Sequence, residues 1–257
     1  LAFSKLYEEK QDLSILIECE LIPEYKEILK TLNKFTIKDL FLSSKEIEES
    51  FRPGSITAAT IIESPMLSIG YFFIPAGMAL TPHDHPGMLV TSKILKGSVK
   101  RRAWDLVNRE KQFELPLNPI FDIEENPYSG TKLEAILETD EVCEEGEMIN
   151  LTPLTGNIHS FVAIENTIIF DVLTPYYDQE TRFCNFYLEV DNFMPSCKAK
   201  FLKKLKREVS EEDKKKKGFK TTLVYLFDPP EISFHIVKCS EEILKPPQLV
   251  STHNTSE

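Results

Sequence analysis

The 257-residue chain holds only five cysteines, an odd number, and no two of them form a CxxC pair. Cys19, Cys143, Cys184, Cys197 and Cys239 stand far apart, which argues against a disulfide framework or a cysteine-built zinc site and fits free thiols in a reducing compartment. No stretch reaches the roughly 18 consecutive apolar residues of a membrane-spanning helix, and Leu1 to Lys10 lack the apolar centre of a signal peptide. Positive charge is in short supply: 30 Lys and Arg against 41 Asp and Glu leave a net charge of -11. That field speaks against a general affinity for nucleic acid or an anionic membrane. No internal repeat is present. The expectation is a monomer that is cytoplasmic, with a nuclear pool left open, and that engages neither membrane nor nucleic acid.

With 42% hydrophobic residues the chain can bury one substantial core. Residues 1–50 favour helix, because Leu6, Leu13, Leu16 and Ile17, then Ile22, Tyr25, Ile28, Leu29 and Leu32, recur at spacings of three and four. Pro23 divides two helices or opens the second. From about residue 56 the pattern changes to short β-branched and aromatic runs between Gly and Pro: 56–62, 67–74, 90–95, 99–104, 148–151, 161–164, 167–173, 183–190 and 221–227. Many short strands without alternating long helices mean a mainly β chain, an antiparallel barrel or sandwich with a helical preface. Residues 108–147 are weakly patterned and acidic, and are expected to form an elaborated connection. The domain is expected over 51–240, with a basic insertion at 198–220 and a disordered tail at 241–257.

Histidine is scarce too, five in all, yet three are set in a pattern that points to chemistry. His83 and His85 stand two apart, bounded by Pro82, Pro86 and Gly87, so on a strand both imidazoles face the same side and reach one ion. His159 follows a similar turn and glycine, Pro153 to Ile158. His235 and His253 lack such a setting and are assigned to surface or core. Three neutral imidazoles on an octahedral ion leave three positions open and the full divalent charge uncompensated, which favours a thiolate with room for dioxygen. Iron(II) suits that redox chemistry, while zinc with three His and a water would imply hydrolysis or hydration.

Gly77, His83-x-His85 and Gly97, with Gly146, Pro153, Gly156 and His159, resemble the two motifs of the cupin barrel, a double-stranded β-helix. Two positions depart: Val90 stands where the motif carries a Glu ligand, and Ala163 where it carries a distal Asn. Beyond that, His83-Asp84-His85-Pro86-Gly87-Met88, Ser92 to Gly97, Trp104-Asp105, Gly156 to His159 and Phe170 to Asp178 are similar to the cysteamine (2-aminoethanethiol) dioxygenase and plant cysteine oxidase family. The resemblance covers about residues 66–105 and 148–190. It implies a cupin-type barrel holding Fe(II) on His83, His85 and His159, and oxidation by O2 of cysteamine, or of peptides and proteins that begin with cysteine, to the sulfinic acid. The latter substrates tie oxygen sensing to N-degron turnover.

The resemblance also implies that Asp171 lies near the metal, holding a substrate amine or orienting neighbours, and that Tyr177 donates to bound oxygen. Cys184 aligns with a family cysteine that in some members is linked to a tyrosine two residues on; here that position is Phe186, and Tyr187 faces the other way on a regular strand. The competing readings are a three-His dioxygenase of free cysteine or 3-mercaptopropionate, whose carboxylate would want Arg101 or Arg102 facing inward, and a non-catalytic cupin module.

Overall fold

The computed structural model describes residues 23–108, 131–153, 155–177, 182–189, 218–226 and 233–238. The expectations for residues 1–22, for most of the basic island (198–217), for the tail at 241–257, and for His253, Cys19, Cys197 and Cys239 fall outside the described residues.

Among the described residues, helix α1 (Pro23–Lys34), a 3₁₀ turn (Ile37–Leu40) and α2 (Ser44–Ser50) precede twelve strands. These are β1 (Ser55–Ser64), β2 (Leu67–Ile74), β3 (Ala79–His83), β4 (Leu89–Lys96), β5 (Ser98–Leu106) and β6 (Lys132–Glu144), followed by β7 (Met148–Leu151), β8 (Ile158–Ala163), β9 (Thr167–Thr174), β10 (Phe186–Glu189), β11 (Phe219–Leu226) and β12 (Ser233–Lys238). One sheet runs β12-β1-β2-β9-β4-β7; the other, β10-β11-β6-β5-β8-β3, closes on itself because β10 returns to β3. Neighbours are antiparallel except β1 and β12, which are parallel. This is the expected cupin-type barrel with a helical preface, enlarged by a second closed ring of strands.

Alternation sorts the side chains into three layers. Ile74, Val90, Ile94, Ile149, Ile169 and Leu173 of the first sheet pack against Leu80, Val99, Phe161 and Ala163 of the second. The opposite face of the second sheet fills the closed ring with Trp104, Leu106, Leu133, Leu137, Ile158, Tyr187 and Leu223. On the outside of the first sheet, Tyr71, Phe73, Ile168 and Phe170 receive the helical preface through Leu32, Phe35 and Leu40. β8, buried on both faces, therefore separates the two cores, with His159, Phe161 and Ala163 on one side and Ile158 on the other.

Three elements differ from the sequence expectation. Residues 132–144, assigned to a connection, form β6, the longest strand. Its buried Leu133, Ala135 and Leu137 alternate with residues that face away, so a two-residue period is present beneath the acidic composition. The strand expected over 183–190 begins only at Phe186, leaving Cys184 in the extended approach to it. β12, which includes His235, adds to the sheet edge beside β1. Between β4 and β5, Gly97 holds φ +81°, and a Cβ there would lie 2.6 Å from the Asn166 carbonyl oxygen, so this turn accepts only glycine.

The preface is fastened by a buried cation. Lys93 of β4 donates to the carbonyls of Leu32 at 2.9 Å and Asn33 at 2.7 Å, two of the acceptors that the end of α1 leaves without helical partners. Burial lowers the Lys93 pKa, and the nearby Asp39 charge opposes that shift. Tyr25 adds a hydroxyl hydrogen bond to Thr91 at 2.9 Å. Lys93→Met keeps the apolar stem, removes the donor to the Asn33 carbonyl and leaves the Leu32 carbonyl with the Phe35 amide at 3.0 Å. The expected loss is about 2 kcal/mol in urea unfolding, with faster amide exchange in α1 and none in β8; unchanged stability would mean that α1 docks through its apolar face alone.

Candidate metal centre

His83 ends β3, and His85 follows it across the edge of the closed ring. Pro86 and Gly87, at φ +64°, occupy the two central positions of a turn closed by the Met88 amide donating to the His85 carbonyl at 3.0 Å. That Pro-Gly pair is the signature of a type II turn and fixes where His85 sits. On the neighbouring strand, Cα pairing sets His83 against His159 and Ala103 against His159. Three elements thus deliver three imidazoles to one point: a ring nitrogen from each of His83, His85 and His159 lies within 4.8 Å of the others. Ring centroids are 5.1, 4.5 and 5.0 Å apart.

The hydrogen bonds determine which nitrogens carry protons. His83 Nδ1 lies 2.8 Å from the Thr81 carbonyl, an acceptor only, so Nδ1 donates and Nε2 keeps its lone pair. The Tyr177 hydroxyl donates its one proton to the Asp84 carbonyl at 2.7 Å, so at 2.6 Å it accepts from His85 Nδ1. His85 Nε2 is then a bare lone pair, and it is sealed from solvent without a hydrogen-bond partner, as is His159 Nδ1. Buried, unpartnered imidazole nitrogens cost free energy unless something accepts electrons from them. Burial is the main cause that lowers the pKa of all three; that of His85 and His159 lies well below the usual value, with neighbouring imidazoles adding to it and the Arg101 charge contributing at His159. Neutral imidazoles with convergent lone pairs are what a divalent transition metal requires. The donor set fits one.

No carboxylate joins this group among the described residues. Val90, at the position of the missing Glu, is buried in the core between the sheets. The site is therefore three-His and neutral in its ligands.

The other anticipated residues are placed as follows. Asp171 of β9 pairs with Ser92 and alternates with Ile169 and Leu173, so it looks into the core between the sheets. Its Oδ1 is buried without a partner, and burial raises its pKa to about 6, opposed by a hydrogen bond from Ser92. Tyr177 spends its proton on the Asp84 carbonyl and so orients His85, where the resemblance assigned its proton to bound oxygen. Cys184 hydrogen-bonds to Tyr177, and burial pushes its thiol pKa well up. Tyr187 turns away from Cys184, as strand alternation predicts, and donates to Asp84 Oδ2 at 2.7 Å inside the closed ring. Phe186 faces the metal side, its ring 6.2 Å from that of His83. Of the two arginines, Arg101 shares the inward register with Ala103, while Arg102 points into the ring, pairs with Glu189 and Asp140, and stacks over Trp104. Arg101 is engaged by Glu141 at 2.8 Å.

Sequence reasoning missed the supports. Asn157 receives the His85 amide at 3.0 Å and donates to the His85 carbonyl at 2.8 Å, imitating a strand neighbour with its side chain. Asp84, fully buried, takes the Asn185 amide at 2.8 Å and its side chain at 3.0 Å. The signal available was alternation: a residue between two inward histidines must face the other way, and an Asp there needs donors.

The family model PCO_ADO matches residues 26–239 of this chain. A curated relative, 2-aminoethanethiol dioxygenase of Mus musculus, is 29% identical over 188 residues, 67% of this chain and 71% of the relative. Plant cysteine oxidase 1 of Arabidopsis thaliana is 30% identical over 150 residues, 54% of this chain and 46% of the relative. Among solved structures, KdgF from Halomonas sp. covers 49% of this chain and 84% of its own at 16% identity, with a TM-score of 0.32. The match to the family model spans most of the chain, including all three metal-site histidines, and the chain belongs to the PCO_ADO family of dioxygenases.

Proposed function

We propose that the protein is an Fe(II)-dependent thiol dioxygenase that acts on a 2-aminoethanethiol unit, either cysteamine or the N-terminal cysteine of a peptide or protein. The balanced reaction is R–SH + O2 → R–SO2H. The observation that carries the reading is the three-imidazole group with no carboxylate beside it. His83, His85 and His159 would hold the ion; iron(II) there supplies the redox chemistry that joins dioxygen to sulfur. The working place is the cytoplasm, and the only partners required are O2 and the thiol.

The chain's own groups account for the amino half of the substrate. Asp171 offers a buried carboxylate oxygen with no protein donor, on the face that looks into the core between the sheets. A substrate ammonium would supply that donor and the opposite charge. Such a charge-assisted hydrogen bond both binds and orients the thiol. Tyr177 holds His85 in the tautomer with Nε2 bare, and its raised pKa, caused mainly by burial, keeps it a phenol at working pH. Phe161 and Phe186, whose rings flank the imidazoles, keep water from the reacting thiol.

A second reading, a dioxygenase of free cysteine or 3-mercaptopropionate, is favoured by Arg101, which shares the inward register and whose charge is felt at His159. Against it, Glu141 already takes one Arg101 nitrogen. The test is incubation of Fe(II)-loaded protein in air with cysteamine, free cysteine, 3-mercaptopropionate and a cysteine-initiated peptide in parallel. Mass spectrometry should find two added oxygen atoms on cysteamine or the peptide. Preference for the two carboxylates would move the assignment to Arg101, and retained iron with no product from any thiol would sink the reaction. His85→Ala should abolish both iron retention and turnover; activity in that variant would make the ligand assignment wrong.

Asp171 sets the pH behaviour. Its folded pKa of about 6 lies above the unfolded value of about 4. The folded metal-free protein therefore binds the extra proton between those values, and stability falls as pH rises through that window, by about 3 kcal/mol in total. Above about pH 6 the carboxylate is charged and able to hold an ammonium. Activity on the aminothiol should drop on the acid side with a midpoint near 6. Asp171→Asn should lose about 30- to 100-fold in kcat/KM, as expected for one charge-assisted hydrogen bond, and erase that acid limb. At pH 7.5 the metal-free variant should melt no lower than the parent. A lower melting temperature with unaltered kcat/KM would assign Asp171 to the fold alone.

A further inference from the structure

His83 and His85 face the core between the sheets, so the residue separating them faces the closed ring. There Asp84 is fully buried, and its carboxylate accepts from β10 and the residue before it: the Asn185 amide at 2.8 Å, the Asn185 side chain at 3.0 Å and the Tyr187 hydroxyl at 2.7 Å. Its backbone is held by the same segment, since the Asp84 amide donates to the Asn185 carbonyl at 3.1 Å. Its carbonyl accepts from Tyr177, the residue that fixes the His85 tautomer. The peptide that carries two of the three imidazoles is thus bolted from behind to a strand about 100 residues further along the chain.

Nothing in the chemistry of the metal ligands calls for a carboxylate at that place. An apolar residue would fill the ring as Ile158 and Leu223 do, without the cost of burying a charge. A carboxylate earns its place through direction: its two oxygens, met by three donors, fix the rotation of the Asp84 peptide and hence the angle between the flanking side chains. Packing alone would leave that rotation softer.

Taking the three imidazoles as a metal site, whatever reaction it runs, we propose that Asp84 is its positioning residue. It uses Asn185 and Tyr187 to transmit the placement of β10 to the angle between His83 and His85. β10 is then part of the metal centre although it supplies no ligand. The assignment also gives Tyr187 a function: it clamps Asp84 from within the ring, on the side away from Cys184.

The experiment titrates metal-free protein with Co(II) under nitrogen, following visible absorption and affinity, with the melting temperature of the metal-free protein measured alongside. Three variants are compared with the parent. Asp84→Asn keeps size and removes the charge, Tyr187→Phe removes one donor and keeps the ring packing, and Leu223→Ala opens a cavity in the same ring without touching Asp84. Asp84→Asn should weaken Co(II) binding by about 10- to 100-fold and shift the visible bands. Tyr187→Phe should weaken it less, with the bands moved in the same direction. Leu223→Ala should lower the melting temperature and leave Co(II) affinity and bands at parental values. Parental Co(II) binding in a folded Asp84→Asn or Tyr187→Phe protein overturns the proposal, as does an equal loss in Leu223→Ala. Should Asp84→Asn fail to fold, Tyr187→Phe decides on its own. Because Co(II) binding needs neither a thiol nor dioxygen, the result stands apart from the outcome of the oxidation assay.

Discussion

Everything at this site depends on keeping three imidazoles neutral, bare at one nitrogen, and aimed at a common point inside the fold. Burial does the first part, since charging an imidazole there is costly. The second part is done by acceptors placed on the far nitrogen, the Thr81 carbonyl for His83 and the Tyr177 hydroxyl oxygen for His85. Direction comes from the backbone: a type II turn after His85, an asparagine side chain standing in for a strand neighbour, and the Asp84 carboxylate on the opposite face. A metal ligand set is only as good as the groups behind it.

The second closed ring of strands follows from that demand. In a plain two-sheet barrel the back of β3 and β8 would face solvent, and a polar residue between two histidines would need no partner. Here β10 and β11 continue the second sheet until it closes, so the back becomes a second core with its own buried charges, Arg102 with Glu189 and Asp140. Such groups stabilise little on balance, yet each is costly to leave unmatched, so they pin strand order and register. The helical preface plays the corresponding role for the first sheet, with Lys93 satisfying the carbonyls at the end of α1.

The absence of a fourth, carboxylate ligand is as consequential as the histidines. Val90 fills that place with hydrocarbon, while Asp171 on a different strand carries a buried carboxylate oxygen without a hydrogen-bond partner. In the proposed function that carboxylate would serve as a recognition group for the substrate and not as a ligand of the ion.

Much of this was legible in the sequence because it is local. The two-residue period put His83 and His85 on one side of a strand, Pro86-Gly87 announced the turn, and Val90 marked the missing ligand. The same period placed Tyr187 away from Cys184, and the strand runs gave a β barrel with a helical preface. What the chain alone did not reveal was long-range. β6 hid in acidic composition because exposed Glu134, Glu141 and Glu144 are interspersed with its buried residues, and β12 carries no mark of its parallel partner. The hydrogen bond from the Tyr177 hydroxyl to the Asp84 carbonyl joins residues 93 positions apart. The inward register of Arg101, the outward one of Arg102, and the donors around Asp84 depend on which strands become neighbours. Period and turn chemistry are properties of a few consecutive residues, and so are written in the sequence; pairing between residues 80 to 100 positions apart is decided only when the sheet closes, because a carboxylate or a hydroxyl has no partner until another strand brings it one.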